Sequence, residues 1–104
     1  MPEQHAITIV DFLQRPDSVH IFDVRKEAAF AESGQLIEGA EWRHPYRVDS
    51  WAGEVSAPVI VYCVHGHEVS QGVAAYLRAR GLDARYLEGG FEAYVAAGGK
   101  TVSA

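Results

Sequence analysis

Short apolar runs alternating with segments of helical periodicity predict a small α/β fold, with a central parallel sheet of about four to five strands and helices on both faces. Three observations carry this expectation. The continuous run Val59-Ile60-Val61-Tyr62 has the length and composition of a strand buried on both faces. Two more strand candidates, residues 19–22 and 84–87, are set apart from it by helical segments. With 104 residues, 48% hydrophobic and 22% charged, the chain suits one globular domain, read as residues 1–104 with a core at about 5–99.

Ile9, Phe12 and Leu13 stand at i, i+3 and i+4, which predicts a first short helix with Thr8 near its cap and Pro16 as its stop. Val19-His20-Ile21-Phe22 follows as a strand ending at Asp23. Residues 25–32, rich in Ala, Glu and Lys, favour a helix closed by Gly34. Residues 35–57 have weaker signals: a short extended segment after Gly39-Ala40, a break at Pro45 and a short helix within 47–55. Beyond strand 59–62, Val69, Val73, Tyr76 and Leu77 lie on one face of a helix over about 69–80, and Gly81 is its natural C-cap. After the strand at 84–87, Gly89-Gly90 turns the chain. Phe91, Tyr94 and Val95 then form the inner face of a last helix ended by Gly98-Gly99. In a parallel sheet, ligands bind beyond the carboxyl ends of the strands. Asp23, Cys63 and Glu88 each stand just past such an end and are expected on one rim.

The formal net charge of -5 argues against a nucleic-acid or anionic-membrane partner. No apolar run approaches the roughly 20 residues of a membrane span. Met1-Pro2-Glu3-Gln4-His5 has neither a basic segment nor an apolar core, so no secretory signal is expected and a cytoplasmic location is. A single cysteine excludes an internal disulfide, leaving Cys63 as a buried filler or a reactive thiol. Its place between a buried strand and a Gly-containing polar loop, with a helix following, favours reactivity.

Asp23-Val24-Arg25, Phe30, Ile37-Glu38-Gly39-Ala40, Val61-Tyr62-Cys63-Val64-His65-Gly66 and Leu87-Glu88-Gly89-Gly90-Phe91-Glu92-Ala93-Tyr94 occur in this order over nearly the whole chain. Together they resemble the landmarks of a single-domain rhodanese, a sulfurtransferase. The resemblance implies that Cys63 takes a sulfane sulfur from a donor such as thiosulfate, mercaptopyruvate or a persulfide. The resulting persulfide passes its outer sulfur to a thiophilic acceptor, cyanide or a thiol, on a small molecule or a protein. Neither a metal nor an organic cofactor is implied. The substrate-binding loop would comprise Val64, His65, Gly66, His67, Glu68 and Val69, its backbone N–H groups and the following helix N-terminus favouring the thiolate. Gly66 would let the loop take positive φ.

Three departures from the family pattern stand out. The loop is one residue longer than in common rhodaneses, which resembles the rhodanese-fold phosphatases and arsenate reductases. Those enzymes carry an arginine six residues after the cysteine, where this chain has Val69, and so an oxyanion loses its bidentate clamp. Glu68, with His65 and His67, replaces the basic residue often found in thiosulfate-using loops, which makes a persulfide on glutathione or on a protein an alternative donor. Ser33-Gly34-Gln35-Leu36-Ile37-Glu38-Gly39-Ala40 is about two residues longer than the usual stretch, with Arg43, His44 and Arg47 close after it.

Asp23 is expected to cap the next helix, paired with Arg25, so that the two support the rim; the alternative is direct substrate contact. His65, His67 and Arg47 are expected to tune access and charge. Glu68 is either a helix N-terminal acid or a pocket acid. One of Trp42 and Trp51 is expected to seal the core, the other being open to a role as a wall for a donor or partner. Three rivals remain: a persulfide- or oxidant-sensing module without turnover, a metal-binding module built on Cys63, His65 and His67 with His44, and a phosphatase or arsenate reductase.

Overall fold

A computed structural model describes residues 5–56 and 58–104. Residues 1–4, read above for a secretory signal, and residue 57, at the end of the weakly patterned region, lie outside the described residues. Five strands form one parallel sheet: β1 (Ala6–Ile7), β2 (His20–Asp23), β4 (Ala40–Trp42), β5 (Val59–Tyr62) and β6 (Ala84–Leu87), in the order β1-β6-β5-β2-β4. β5 lies at the centre, with Val61 opposite Phe22 on one side and Tyr86 on the other. Two further strands, β3 (Gln35–Ile37) and β7 (Thr101–Ser103), pair antiparallel in a small second sheet.

Successive residues of a strand face opposite ways, and here they feed two cores. Phe22, Val59, Val61 and Tyr86 point to one side, where they meet Trp51 of α3 (Val48–Trp51) and Val73, Ala74 and Leu77 of α4 (Glu68–Ala79). Ile21, Ile60, Tyr62 and Leu87 point to the other, against Phe12 of α1 (Ile9–Leu13) and Tyr94 of α5 (Gly90–Ala96). Helices therefore cover both faces, as the sequence predicts.

Several local signals work as expected. Thr8 Oγ1 accepts from Asp11 N–H at the start of α1, and Gly34 closes α2 (Glu27–Ser33) in the left-handed conformation. The differences have physical reasons. Pro45 opens a 3-10 turn, Pro45–Arg47, since proline fits a first helical position where no N–H is needed. The buried face of α4 is Ser70, Val73, Ala74 and Leu77, with Val69 and Tyr76 only half-buried at its border. β1, β3 and β7 carry no strand pattern of their own; each is two or three residues long and is held by its partner strand.

No described helix is long and apolar enough to cross a membrane.

Candidate active site around Cys63

The carboxyl ends of β2, β5 and β6 are neighbours, so the topology brings Asp23, Cys63 and Glu88 to one edge. The three do not share one cavity. Cys63 is buried, 6% exposed, in a pocket of about 500 Å³ lined also by Arg25, Lys26, Ala29, Val64, His65, His67, Glu68 and Val69. Glu88 is exposed and lines a separate depression with His65, Gly66, His67 and Glu92. Asp23 is fully buried beneath the pocket.

The hydrogen-bond partner of Cys63 Sγ is Ser70 Oγ at 3.1 Å. Ser70 is fully buried in the first turn of α4. A hydroxyl both donates and accepts, so it serves the thiol as acceptor and an anionic sulfur as donor. Sequence reasoning missed Ser70; its signal was a lone polar residue at i, i+3, i+4, i+7 with Val73, Ala74 and Leu77. Among the described residues, the N–H groups of 64–67 have no acceptor within the chain, and those of 68–70 open α4 as first-turn donors. None of them donates to Sγ itself; of these residues Val64, His65, His67, Glu68 and Val69 line the pocket, and Gly66 and Ser70 do not.

Gly66 and Gly90 hold the loop against the start of α5. Gly66 has φ +74°, and a Cβ there would stand 2.7 Å from Leu87 O and 2.8 Å from Gly89 N. Gly90 has φ +64°, and a Cβ there would stand 2.5 Å from Cys63 O and 2.6 Å from Val64 O. Without side chains the segments lock directly, Phe91 N–H donating to Cys63 O at 2.9 Å and Glu92 N–H to Val64 O at 3.1 Å. Gly90→Ala is expected to destabilise the fold by about 1–3 kcal/mol and to displace the cysteine carbonyl. Thermal unfolding and alkylation of Cys63 measure the two effects.

Beneath the pocket lies a buried polar cluster. Arg25, 2% exposed, donates through Nε and Nη2 to both oxygens of Asp23 at 2.5–3.0 Å and through Nη2 to Gln35 O at 2.6 Å. Its guanidinium carbon lies 4.2 Å from the centre of the Phe91 ring, a cation–π contact. Trp42 Nε1 donates to Arg25 O at 2.9 Å and its ring stacks on Phe30. Asp23 does not cap α2: its Oδ1 accepts from Arg25 N–H, and Lys26 at the N-cap makes no side-chain cap bond.

Tyr62 links this cluster to the second sheet. Its hydroxyl donates to Asp23 Oδ2 at 3.0 Å and accepts from Ile37 N–H at 3.1 Å. Burial, and then the neighbouring Asp23 charge, push the phenol well above its ordinary value of 10.0. Because the folded-state value is the higher one, this contribution is fully present below about pH 10 and is lost as pH rises beyond it. Tyr62→Phe should cost about 1–3 kcal/mol near neutral pH, because Ile37 N–H loses its buried partner. It should also flatten the fall in stability above pH 10, as denaturant titrations across that range would show.

The remaining predicted residues fall into place as follows. His65 turns from the pocket centre toward Glu92, with Nε2 to Oε2 at 3.1 Å, and its ring lies 6.2 Å from that of His67. His44 Nδ1 accepts from Tyr46 N–H, and His44 O from Trp51 Nε1. The metal-binding rival therefore lacks a ligand set: among the described residues no three His, Cys, Asp or Glu side chains are grouped to hold an ion. Arg47 is exposed at the end of its 3-10 turn and does not line the Cys63 pocket. Both tryptophans act structurally, Trp51 packing on Phe22 and Trp42 pinning Arg25. Val69 lines the wall, and Arg25, the one guanidinium among the lining residues, is spent on Asp23 and Gln35.

Comparison with known proteins gives a consistent picture. A family model described as the rhodanese-like domain matches residues 8–97. The chain is similar to the thiosulfate sulfurtransferase GlpE of Pseudomonas fluorescens strain SBW25, 34% identical over 95 residues, with 88% of this chain and 80% of the relative covered. The protein of the same name from strain Pf0-1 is 36% identical over 81 residues, covering 75% of this chain and 72% of the relative. Among solved structures, a rhodanese-related protein from Thermoplasma volcanium shares the fold at a TM-score of 0.82 and 19% identity, covering 94% of this chain and 97% of its own.

Proposed function

The chain belongs to the rhodanese-like domain family, and on that premise we propose that it is a sulfurtransferase working through a Cys63 persulfide. The observation that carries this reading is the setting of Cys63. It is a lone, buried thiol in a pocket lined by Val64, His65 and His67, whose backbone N–H groups have no acceptor within the chain, with a buried hydroxyl 3.1 Å away.

In the first half-reaction the Cys63 thiolate attacks the sulfane sulfur of the donor. A new S–S bond forms, and the donor's bond to that sulfur breaks, its electron pair leaving with the remainder: sulfite from thiosulfate, a thiolate from a persulfide. In the second, a thiolate or cyanide attacks the outer sulfur and Cys63 leaves as the thiolate. Charge shifts from Sγ to the leaving group and back, within reach of the N–H groups of 64–69 and the Ser70 hydroxyl. Arg25 and Asp23 support the floor of the pocket from below, and His65, His67 and Glu68 line its mouth.

Steady-state assay with thiosulfate and cyanide, and with a persulfide donor and a thiol, tests the reading. Turnover with at least one pair supports it; a free, alkylatable Cys63 with none would favour the sensing module. Ser70→Ala is expected to slow sulfur loading about tenfold, the loss of one hydrogen bond that strengthens as charge moves on sulfur. Stopped-flow loading rates of the variant check it.

A further inference from the structure

The Cys63 pocket does not end at its own walls. A second depression of about 320 Å³ adjoins it, formed by Pro45, Tyr46, Val48, Gly72, Val73 and Tyr76. The two cavities share three wall residues: Lys26, Glu68 and Val69. Val69 forms an apolar sill between them. Lys26 and Glu68 stand on the shared wall as opposite charges, both exposed. Among the described residues neither makes an ion pair or a side-chain hydrogen bond. Tyr46, at the far wall, is 67% exposed although its ring is large and apolar.

From this arrangement we propose that the adjoining groove is the subsite for the body of a zwitterionic peptidyl persulfide of the glutathione class. The inference rests on the sulfurtransferase reading and names the substrate of that site. A small inorganic dianion occupies little of a pocket of about 500 Å³ and meets both the Lys26 ammonium and the Glu68 carboxylate there, so it satisfies one of the two charges and opposes the other. A short peptide carries both an ammonium and carboxylates on one backbone. With its sulfur at Cys63 it crosses Val69 and offers one charge to Lys26 and the other to Glu68, and its peptide planes lie against Tyr46 and Tyr76. The two cavities together fall in the range of roughly 300–1,000 Å³ that suits a small-molecule ligand. The step itself balances without a further reactant. The Cys63 thiolate attacks the outer sulfur of the donor's S–SH group, and the peptide's S–S bond breaks. The peptide leaves as its thiolate, and the proton stays on the transferred sulfur.

The test compares kcat/KM for glutathione persulfide, mercaptopyruvate and thiosulfate in wild type, Lys26→Met, Glu68→Gln and Tyr46→Ala. Wild type is expected to favour glutathione persulfide over thiosulfate by about tenfold or more. Each variant should raise KM for glutathione persulfide about three- to tenfold, in keeping with an exposed charged or stacking contact. Glu68→Gln should at the same time lower KM for thiosulfate. Because all three side chains are exposed or at a groove edge, unchanged melting temperatures verify folding. If Cys63 is loaded and turns over but the variants shift all donors alike, or shift none, the subsite is wrong and the sulfurtransferase reading stands. A persulfidated protein preferred over glutathione persulfide would also overturn the subsite. If no donor loads Cys63, both fall together.

Discussion

Cys63→Ser is expected to lose sulfur transfer by about 10³-fold or more with every donor, because the alkoxide equivalent neither attacks a sulfane sulfur nor forms a persulfide. Its stability should stay within about 1 kcal/mol of wild type. The replacement is nearly isosteric, and the new hydroxyl keeps a partner in Ser70 Oγ, which now stands 3.1 Å from Sγ. Loss of transfer with retained folding separates a chemical role for the sulfur from a packing role. A serine variant that still moves sulfur at wild-type rate would show that another group accepts it, and none of the described residues is a second cysteine.

The largest effect on stability should come from Arg25→Ala, at about 3–5 kcal/mol. Asp23 is fully buried, and Arg25 supplies its charge partner and several of its hydrogen bonds, with Tyr62 supplying another. Removing the guanidinium leaves a carboxylate with no counter-charge, takes the 2.6 Å donor from the Gln35 carbonyl and opens a hole beneath Phe91. An apolar pair of similar volume, such as Asp23→Leu with Arg25→Met, should recover part of the loss, since burying two charges is itself costly. Urea denaturation of the single and double variants measures both. The same cluster supports the floor of the Cys63 pocket, so the single variant should also load sulfur more slowly at temperatures where it remains folded.

A strand buried on both faces announces itself as an apolar run, which is why β5 is legible in the sequence with its bounds unchanged; β6, with Arg85 exposed, is bounded instead by the turn residues on either side. β3 and β7 are not. Each is three residues long, and what makes them strands is a pairing such as Leu36 with Val102, between segments far apart in the chain. The site divides in the same way. Cys63 follows from the local order of strand, polar loop and helix. Ser70 does not, because placing Val69 and Tyr76 on the inner face of α4 turns the helix away from the face that is buried, and a serine there passes for a surface residue. Gly90 reads as a turn residue; its contact with the carbonyls of Cys63 and Val64 is a tertiary fact with no local signal. Asp23 and Arg25 are legible as a pair, but not the aromatic enclosure or the link through Tyr62 to the second sheet. Arg47, expected to tune access and charge, does not line the pocket.

Intact mass of the protein and of Cys63→Ser, after exposure to thiosulfate, mercaptopyruvate and glutathione persulfide and then to a thiol acceptor, tests the persulfide at Cys63 most directly. The expected result is one added sulfur atom on wild type alone, removed by the acceptor. Wild-type protein that keeps a free, reactive Cys63 and gains no sulfur from any donor would contradict it.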